Sequence, residues 1–155
     1  MSIEKVKAYF AERGLAERVQ ELDVSSATVP LAAQALHCEE GRIAKTLSFH
    51  VGERVVLVVA AGDAKIANAK YKAQFGVKAK MLAQEEAEQL IGHAVGGVCP
   101  FAVNPGVETY LDLSLKRFST VFPACGSSNS AIELSMEELE KYSDAVSWVD
   151  VCKIV

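Results

Sequence analysis

The residues whose types and spacing carry the most chemistry are Gly96-Gly97-Val98-Cys99-Pro100-Phe101. Paired glycines permit positive φ and let backbone N–H and C=O groups approach a ligand closely. Pro100 fixes its own φ and pushes Cys99 toward an extended conformation. The product is a stiff loop lined by backbone dipoles, able to bind a carbonyl or hydroxyl group. A plain tight turn between strands is the competing reading, because Gly and Pro punctuate loops of every kind. The second candidate is Lys45, within Ile43-Ala44-Lys45-Thr46-Leu47-Ser48-Phe49-His50-Val51. Leu47, Phe49 and Val51 share one strand face, and Lys45 is in phase with them. Such a lysine either snorkels from a strand end or projects into a pocket and holds a phosphate.

Thiols and imidazoles offer less. Cys38, Cys99, Cys125 and Cys152 are scattered without a CxxC pair, and His37, His50 and His93 give no metal-ligand spacing with them. The adjacent His37 and Cys38 are poorly placed to share one ion. The expectation is reduced thiols, no metal and no cofactor. A thiol enzyme using Cys99 or Cys125 would need a base, and no histidine adjoins either residue in sequence.

Composition bounds the setting. The chain has 155 residues, half of them hydrophobic, which suits one folded domain over residues 1–155. No apolar run approaches the roughly 18 residues of a membrane span. The first residues lack a signal-peptide core, so a cytoplasmic location away from membranes is expected. The net charge of −4 argues against nonspecific tracking along DNA or RNA. Between Gly62 and Met81, however, five lysines face one acid. That patch suits a localised polyanion contact, although a solvated helix face is the commoner origin of such a run.

The elements that must position these residues can be read in order. Ser2 reads as an N-cap for a helix over residues 3–13, where Ile3, Val6, Phe10 and Ala11 recur at helical spacing and Gly14 stops it. Val19 to Val24 reads as a strand, and Val29 to Leu36 as a helix with Pro30 in its first turn. The strand from Ile43 to Val51 turns at Gly52-Glu53 into Val55 to Ala60, apolar throughout as a strand covered on both faces should be. Asp63 is expected to cap a helix from Ala64 to Gln74. Val77 to Met81 reads as a short strand, and Gln84 to Ile91 as a helix ending at Gly92. Beyond the Gly96 loop come strands over Val107–Leu113 and Phe118–Ala124, with Lys116-Arg117 in the turn between them. The polar loop Gly126-Ser127-Ser128-Asn129-Ser130 leads into Ala131-Ile132-Glu133-Leu134. Ser135 and Glu138 form a capping box for a helix to about Tyr142, and Trp148 to Val151 closes the chain as a strand. Short strands with interspersed helices and no strict βαβ alternation predict a mixed α+β sheet or barrel.

Three stretches in order resemble the YbaK/prolyl-tRNA-synthetase-associated editing domain family. They are Ala44-Lys45-Thr46-Leu47, the GxxxP loop from Gly96 to Pro100, and the strand–loop–strand from Phe118 to Leu134. The resemblance spans nearly the whole chain. It implies an α+β fold, a mixed barrel-like sheet surrounded by helices, and metal-free hydrolysis of tRNA carrying the wrong amino acid. By similarity, Lys45 would hold the phosphate of the terminal adenosine. Gly96 and Gly97 would offer backbone groups to the aminoacyl moiety or the attacking water, and Pro100 would fix the loop. Thr46, Val98, Cys99, Phe101, Gly126, Ser127 and Ser128 would border the substrate, with core packing the other role open to Phe101. Lys65, Lys70, Lys72, Lys116 and Arg117 would face the acceptor stem, and a prolyl-tRNA synthetase is the implied partner. One departure stands out. Cys-tRNA deacylases of the family carry a glycine-and-basic loop where this chain has Cys125 to Ser130, which leaves Ala, Ser, Cys and Thr open as the amino acid removed. A non-catalytic module that binds a tRNA end or a synthetase is the alternative.

Overall fold

The computed structural model describes residues 2–94 and 96–155. Its centre is the antiparallel pair β2 (Ile43–Val51) and β3 (Arg54–Ala61), joined at Gly52-Glu53 and in register from Ala44↔Ala61 to Val51↔Arg54. β3 also pairs in parallel with β5 (Glu108–Asp112), which pairs in parallel with β9 (Ser147–Val149). On the other side β2 meets β6 (Thr120–Pro123) in parallel, and β6 meets β8 (Leu134–Ser135) antiparallel. These six strands form a mixed sheet that curls into a half-barrel. Two small antiparallel ribbons complete it. β1 (Val19–Glu21) pairs with β7 (Ser130–Ile132), and β4 (Ala64–Ile66) pairs with β10 (Cys152–Ile154). Five α-helices surround the strands among the described residues: α1 (Ser2–Ala11), α2 (Val29–Leu36), α3 (Asn68–Phe75), α4 (Gln84–Ile91) and α5 (Met136–Tyr142). The architecture is the α+β class expected.

β3 is apolar throughout because both its faces are covered. Leu57 packs with Leu82, Ala87 and Ile91 beneath α4, while Val56, Val58, Val59 and Ala60 join the main core with Phe10, Phe49, Tyr71 and Phe101. Phe10 is the aromatic hub, with ring centroids 5.3 Å from Tyr9, 4.9 Å from Phe101 and 5.9 Å from Tyr142. It binds α1 and α5 to the loop that follows α4.

Several boundaries differ from expectation. Ala64 to Ile66 forms β4 instead of opening a helix, because the C-terminal strand β10 offers it a backbone ladder. α3 accordingly begins at Asn68, and Asp63 caps nothing: its carboxylate takes both terminal nitrogens of Arg117. Val77 to Met81 yields only one bridge, Met81 to Phe49. The closing strand is two strands, β9 and β10, separated where Val151 N–H turns to the Asp112 carboxylate at 2.9 Å. Ser2 lies within α1, and its hydroxyl is donated to the Gly92 carbonyl at 3.3 Å.

The capping box on α5 is formed as expected. Ser135 Oγ accepts the Glu138 N–H at 3.2 Å and Glu138 Oε1 accepts the Ser135 N–H at 2.9 Å. Arg18 adds a fork onto the same carboxylate, at 2.6 and 3.0 Å. That guanidinium, helped by the Ser135 N–H against some desolvation, holds the Glu138 carboxyl down to about 2. Replacing Ser135 by Ala should cost about 1 kcal/mol, lowering the melting temperature by about 2–4 °C in a scanning measurement. The ion pair stabilises the fold above the ordinary carboxyl value and fades as pH falls toward 2. The stability deficit of Arg18→Ala in denaturant titrations should therefore shrink between pH 5 and pH 2, roughly the carboxylate range. A deficit constant across that range would contradict the pairing.

Candidate functional site

A break in the sheet makes the site. β2 and β6 pair only at Ile43↔Phe122 and Ala44↔Pro123, and then diverge. Further along β2, the Ser48 carbonyl and His50 N–H turn away from β3, to Leu82 and Lys80. By the alternation of an antiparallel ladder, the peptide groups of Thr46 turn the same way, into the gap that β6 has left. A cavity of about 140 Å³ opens there. One wall is Lys45 and Thr46 of β2, another is Val29, Ala32 and Leu36 of α2, and Phe122, Ala124, Ser130 and Ala131 form the floor. Gly96 and Val98 close it from the loop. An apolar cavity of about 150 Å³ takes benzene, so the space suits a group of roughly six heavy atoms.

Helix α2 is held at this wall by its own ends. Thr28 Oγ1 caps it by accepting the Leu31 N–H at 3.4 Å, and Ala32 and Ala33 pack against Ile43, Phe122 and Ala131. Small side chains on that face leave the cavity unfilled.

Lys45 reaches across the sheet edge. Its Nζ donates to the Ala64 carbonyl and, at 3.5 Å, to the Gly62 carbonyl. Half-buried, it is pushed below the ordinary lysine range by desolvation; Cys152 and Asp63 oppose that shift, and Lys65 adds to it. Two carbonyls thus orient an ammonium whose third N–H can meet a ligand.

The two glycines serve different needs. Gly96 has φ +93°, a conformation that L side chains rarely adopt. Gly97 admits no side chain because a Cβ there would stand 2.5 Å from the Gly126 carbonyl carbon and 2.6 Å from Ser127 N. The GxxxP loop therefore lies directly on the serine loop. Ser128 carbonyl accepts the Ser26 N–H at 2.6 Å, tying that loop to the segment before α2.

The structure brings Lys45, Thr46, Gly96 and Val98 to one cavity. It places the other expected residues around it. Pro100 borders a cleft on the far side of the loop with Tyr9 and Arg13. Cys99 and Phe101 are fully buried in the core behind the loop. Gly126, Ser127 and Ser128 line a separate shallow cleft with Gly97 and Lys5. From that loop it is Ser130 that reaches the cavity, with its Oγ accepting the Cys125 N–H at 3.2 Å and lying 2.8 Å from Ser127 Oγ. The polar loop ending at Ser130 was expected at the pocket's floor or rim, though through Gly126, Ser127 and Ser128; the α2 residues escaped the sequence reading, and the alanines at 32 and 33 were the available signal.

Among the expected acceptor-stem residues, Arg117 is forked onto Asp63, Lys70 donates to Asp150 and the Cys152 carbonyl, and Lys116 sits 4.4 Å over the Trp148 ring. Lys65 stands opposite Lys153 in the β4–β10 ribbon, and Lys72 borders an open cleft with Lys78. Lys65 lies near enough to Lys45 to lower its pKa further.

Sequence adjacency misled on Cys99, because folding brings His93 Nε2 to 3.6 Å from its sulfur. That nitrogen is already engaged with the Phe101 carbonyl at 2.7 Å, so it carries a proton and cannot take another. Burial pushes the Cys99 thiol up to about 12 and raises Cys125 strongly as well. Neither is a competent nucleophile at neutral pH.

The aminoacyl-tRNA editing domain family matches residues 24–142. The uncharacterized protein YwhH of Bacillus subtilis is 51% identical over 154 residues, 99% of this chain and 98% of that protein. Proline–tRNA ligases of Bacillus cereus and Bacillus anthracis are 28% identical over 95 residues, which is 61% of this chain and 16% of the ligase. Among solved structures, a protein proposed as a trans-editing enzyme for prolyl tRNA synthetase superposes with TM-score 0.88 at 29% identity, covering 98% of this chain and 97% of its own. A hypothetical protein superposes with TM-score 0.84 at 31% identity, covering 96% and 99%.

The thiol environments give a direct check. Cys38 is partly exposed and the other three cysteines are buried. A chromogenic disulfide reagent at pH 8 should titrate Cys38 alone in the native protein and all four thiols after denaturation. Rapid native labelling of Cys99 would overturn the inert-thiol assignment.

Proposed function

The chain belongs to the aminoacyl-tRNA editing domain family, and on that premise we propose that it hydrolyses the ester of tRNA mischarged with a small amino acid. The tRNA would be tRNA(Pro) or a related one, and the protein would act in trans beside a prolyl-tRNA synthetase in the cytoplasm. The observation that carries the reading is the convergence of Lys45, Thr46, Gly96 and Val98 on a cavity sized for a small aminoacyl group. The kinship with part of the proline–tRNA ligases supports the choice of tRNA.

An aminoacyl ester is already activated, so its hydrolysis needs orientation and charge stabilisation more than a strong nucleophile. Lys45 would seat the phosphate of the terminal adenosine, and the incoming negative charge would offset the desolvation that now lowers its pKa. Gly96 would present backbone to the ester carbonyl and to water. Gly97 contributes differently: its N–H is donated to the Ala94 carbonyl at 3.0 Å, and its bare Cα lets the loop rest on Gly126. A substrate ribose hydroxyl would help to activate the water. The walls built from Val29, Ala32 and Ala124 select by size, and one methylene is worth about 1–3 kcal/mol in such a pocket. Lys65, with Lys153 beside it, would meet the backbone of the acceptor end.

The test is a deacylation panel. tRNA(Pro) and tRNA(Ala) charged with Ala, Ser, Cys, Thr or Pro are incubated with the protein and with Lys45→Ala. Release of one or two small amino acids is expected, reduced by about 100-fold or more in the variant. Full activity of Lys45→Ala would remove that residue from the site. Binding of charged tRNA with no release from any species would replace the hydrolase by a non-catalytic recognition module.

A further inference from the structure

The GxxxP loop is closed at its base by a side chain that the chemistry above does not use. His93 directly follows Gly92, the C-cap of α4, and is fully buried. Its Nε2 lies 2.7 Å from the Phe101 carbonyl oxygen. A carbonyl only accepts, so Nε2 carries the hydrogen and Nδ1 is the bare nitrogen of the neutral ring. Nδ1 is buried and has no hydrogen-bond partner among the described residues.

We infer that His93 is a positioning residue, whose neutral ring ties the two ends of the 93–101 segment together so that Gly96 and Val98 stand at the cavity wall. The other fastenings lie outside this span or within one turn of it: Asn104 N–H meets the Ile91 carbonyl at 2.8 Å, and Gly97 N–H meets the Ala94 carbonyl at 3.0 Å. Gly92 carbonyl receives Ser2 Oγ and Lys5 Nζ at 3.3 and 3.2 Å, and the Phe101 ring is wedged against Phe10 and Tyr9. Without His93, the Phe101 carbonyl would keep, among the described residues, only the weak Cys99 thiol contact at 3.8 Å, inside the core. A buried acceptor left unpaired drives the backbone to move toward water, and this backbone carries the loop.

The arrangement works in one protonation state. A second proton would go to Nδ1, where no acceptor stands among the described residues. The groups around the ring do not help it: Lys5 repels a second positive charge, and the Cys99 and Cys125 thiols stay neutral. Burial, assisted by Lys5 and opposed by the Phe101 hydrogen bond, holds His93 below the ordinary imidazole value. The closed segment with its neutral ring is therefore favoured above about pH 6.5. As pH falls through the depressed value the Nε2–H bond is kept, but a buried charge with an unmet Nδ1–H is added and favours opening of the segment.

This inference takes its activity readout from the deacylase reading, and its structural readout stands apart from it. Wild type, His93→Gln and His93→Ala are compared by turnover on the preferred charged tRNA from pH 5 to 8, and by amide hydrogen exchange at pH 7.5. His93→Gln keeps an N–H where Nε2 was and has no group that titrates. It should retain kcat within several-fold and lose the acid limb of the wild-type profile. His93→Ala should lose about 100-fold in kcat with a smaller change in KM, and its Gly96–Val98 amides should exchange faster while those of β3 remain protected. A folded His93→Ala with wild-type kcat and loop exchange would overturn the inference, as would an unchanged acid limb in His93→Gln. If His93→Ala does not fold, the glutamine variant decides alone. If the wild-type protein deacylates nothing, the deacylase reading falls, and loop exchange in the three proteins still decides the role of His93.

Discussion

The register of β2 against β3 is the constraint on which the rest depends. Its eight residue pairs set which side chains of β2 face the core and which face the helices. A slip of one residue would exchange Lys45 for Thr46 and put Phe49 on the wrong face of the sheet. Register is held by burial, since Val56 to Ala61 are fully enclosed and each large apolar side chain so buried contributes about 1.5–3 kcal/mol. A half-buried ammonium can be carried on this strand because the neighbouring strand pair is rigid enough to hold two carbonyls against it. The cost of desolvating Lys45 is thus met by the core.

The cavity is a place where secondary structure stops early. Two residue pairs join β2 to β6, and the third pair is replaced by open space. Polar satisfaction fails in the same neighbourhood. Three buried side-chain polar atoms lack partners among the described residues, and two of them, Thr46 Oγ1 and His93 Nδ1, belong to the cavity wall and to the loop that closes it. Folded proteins pair nearly all such groups, and unmet ones gather where a ligand or a conformational demand takes precedence.

Local signals in the sequence were strong where structure is local. The Val29–Leu36 helix, the Ile43–Val51 strand, the Gln84–Ile91 helix and the Ser135 cap follow from periodicity and capping chemistry, and the structure has them at those residues. Ala64 to Ile66 was misread because nothing nearby announces that Cys152 to Ile154 will pair with it. The site was half legible for the same reason. Lys45 is conspicuous as a charge in an apolar phase, and Gly96-Gly97 as a break in regular structure. The α2 wall and Ser130 are ordinary residues that come to line the cavity only through the divergence of two strands. The closeness of His93 to Cys99 depends on the path of the intervening loop, which spacing does not reveal.

Lys45 leans on Ala64, Ala64 belongs to β4, and the only strand partner of β4 among the described residues is β10. The ammonium therefore lacks its support until residues 152–154 have been synthesised and have docked. While the chain emerges from the ribosome, the hairpin of β2 and β3 can form early, since its contacts are local. Its lysine, however, is then an ordinary solvated side chain. The carbonyl seat of this ammonium is thus a long-range feature, complete only once β10, more than a hundred residues further along the chain, has docked on β4.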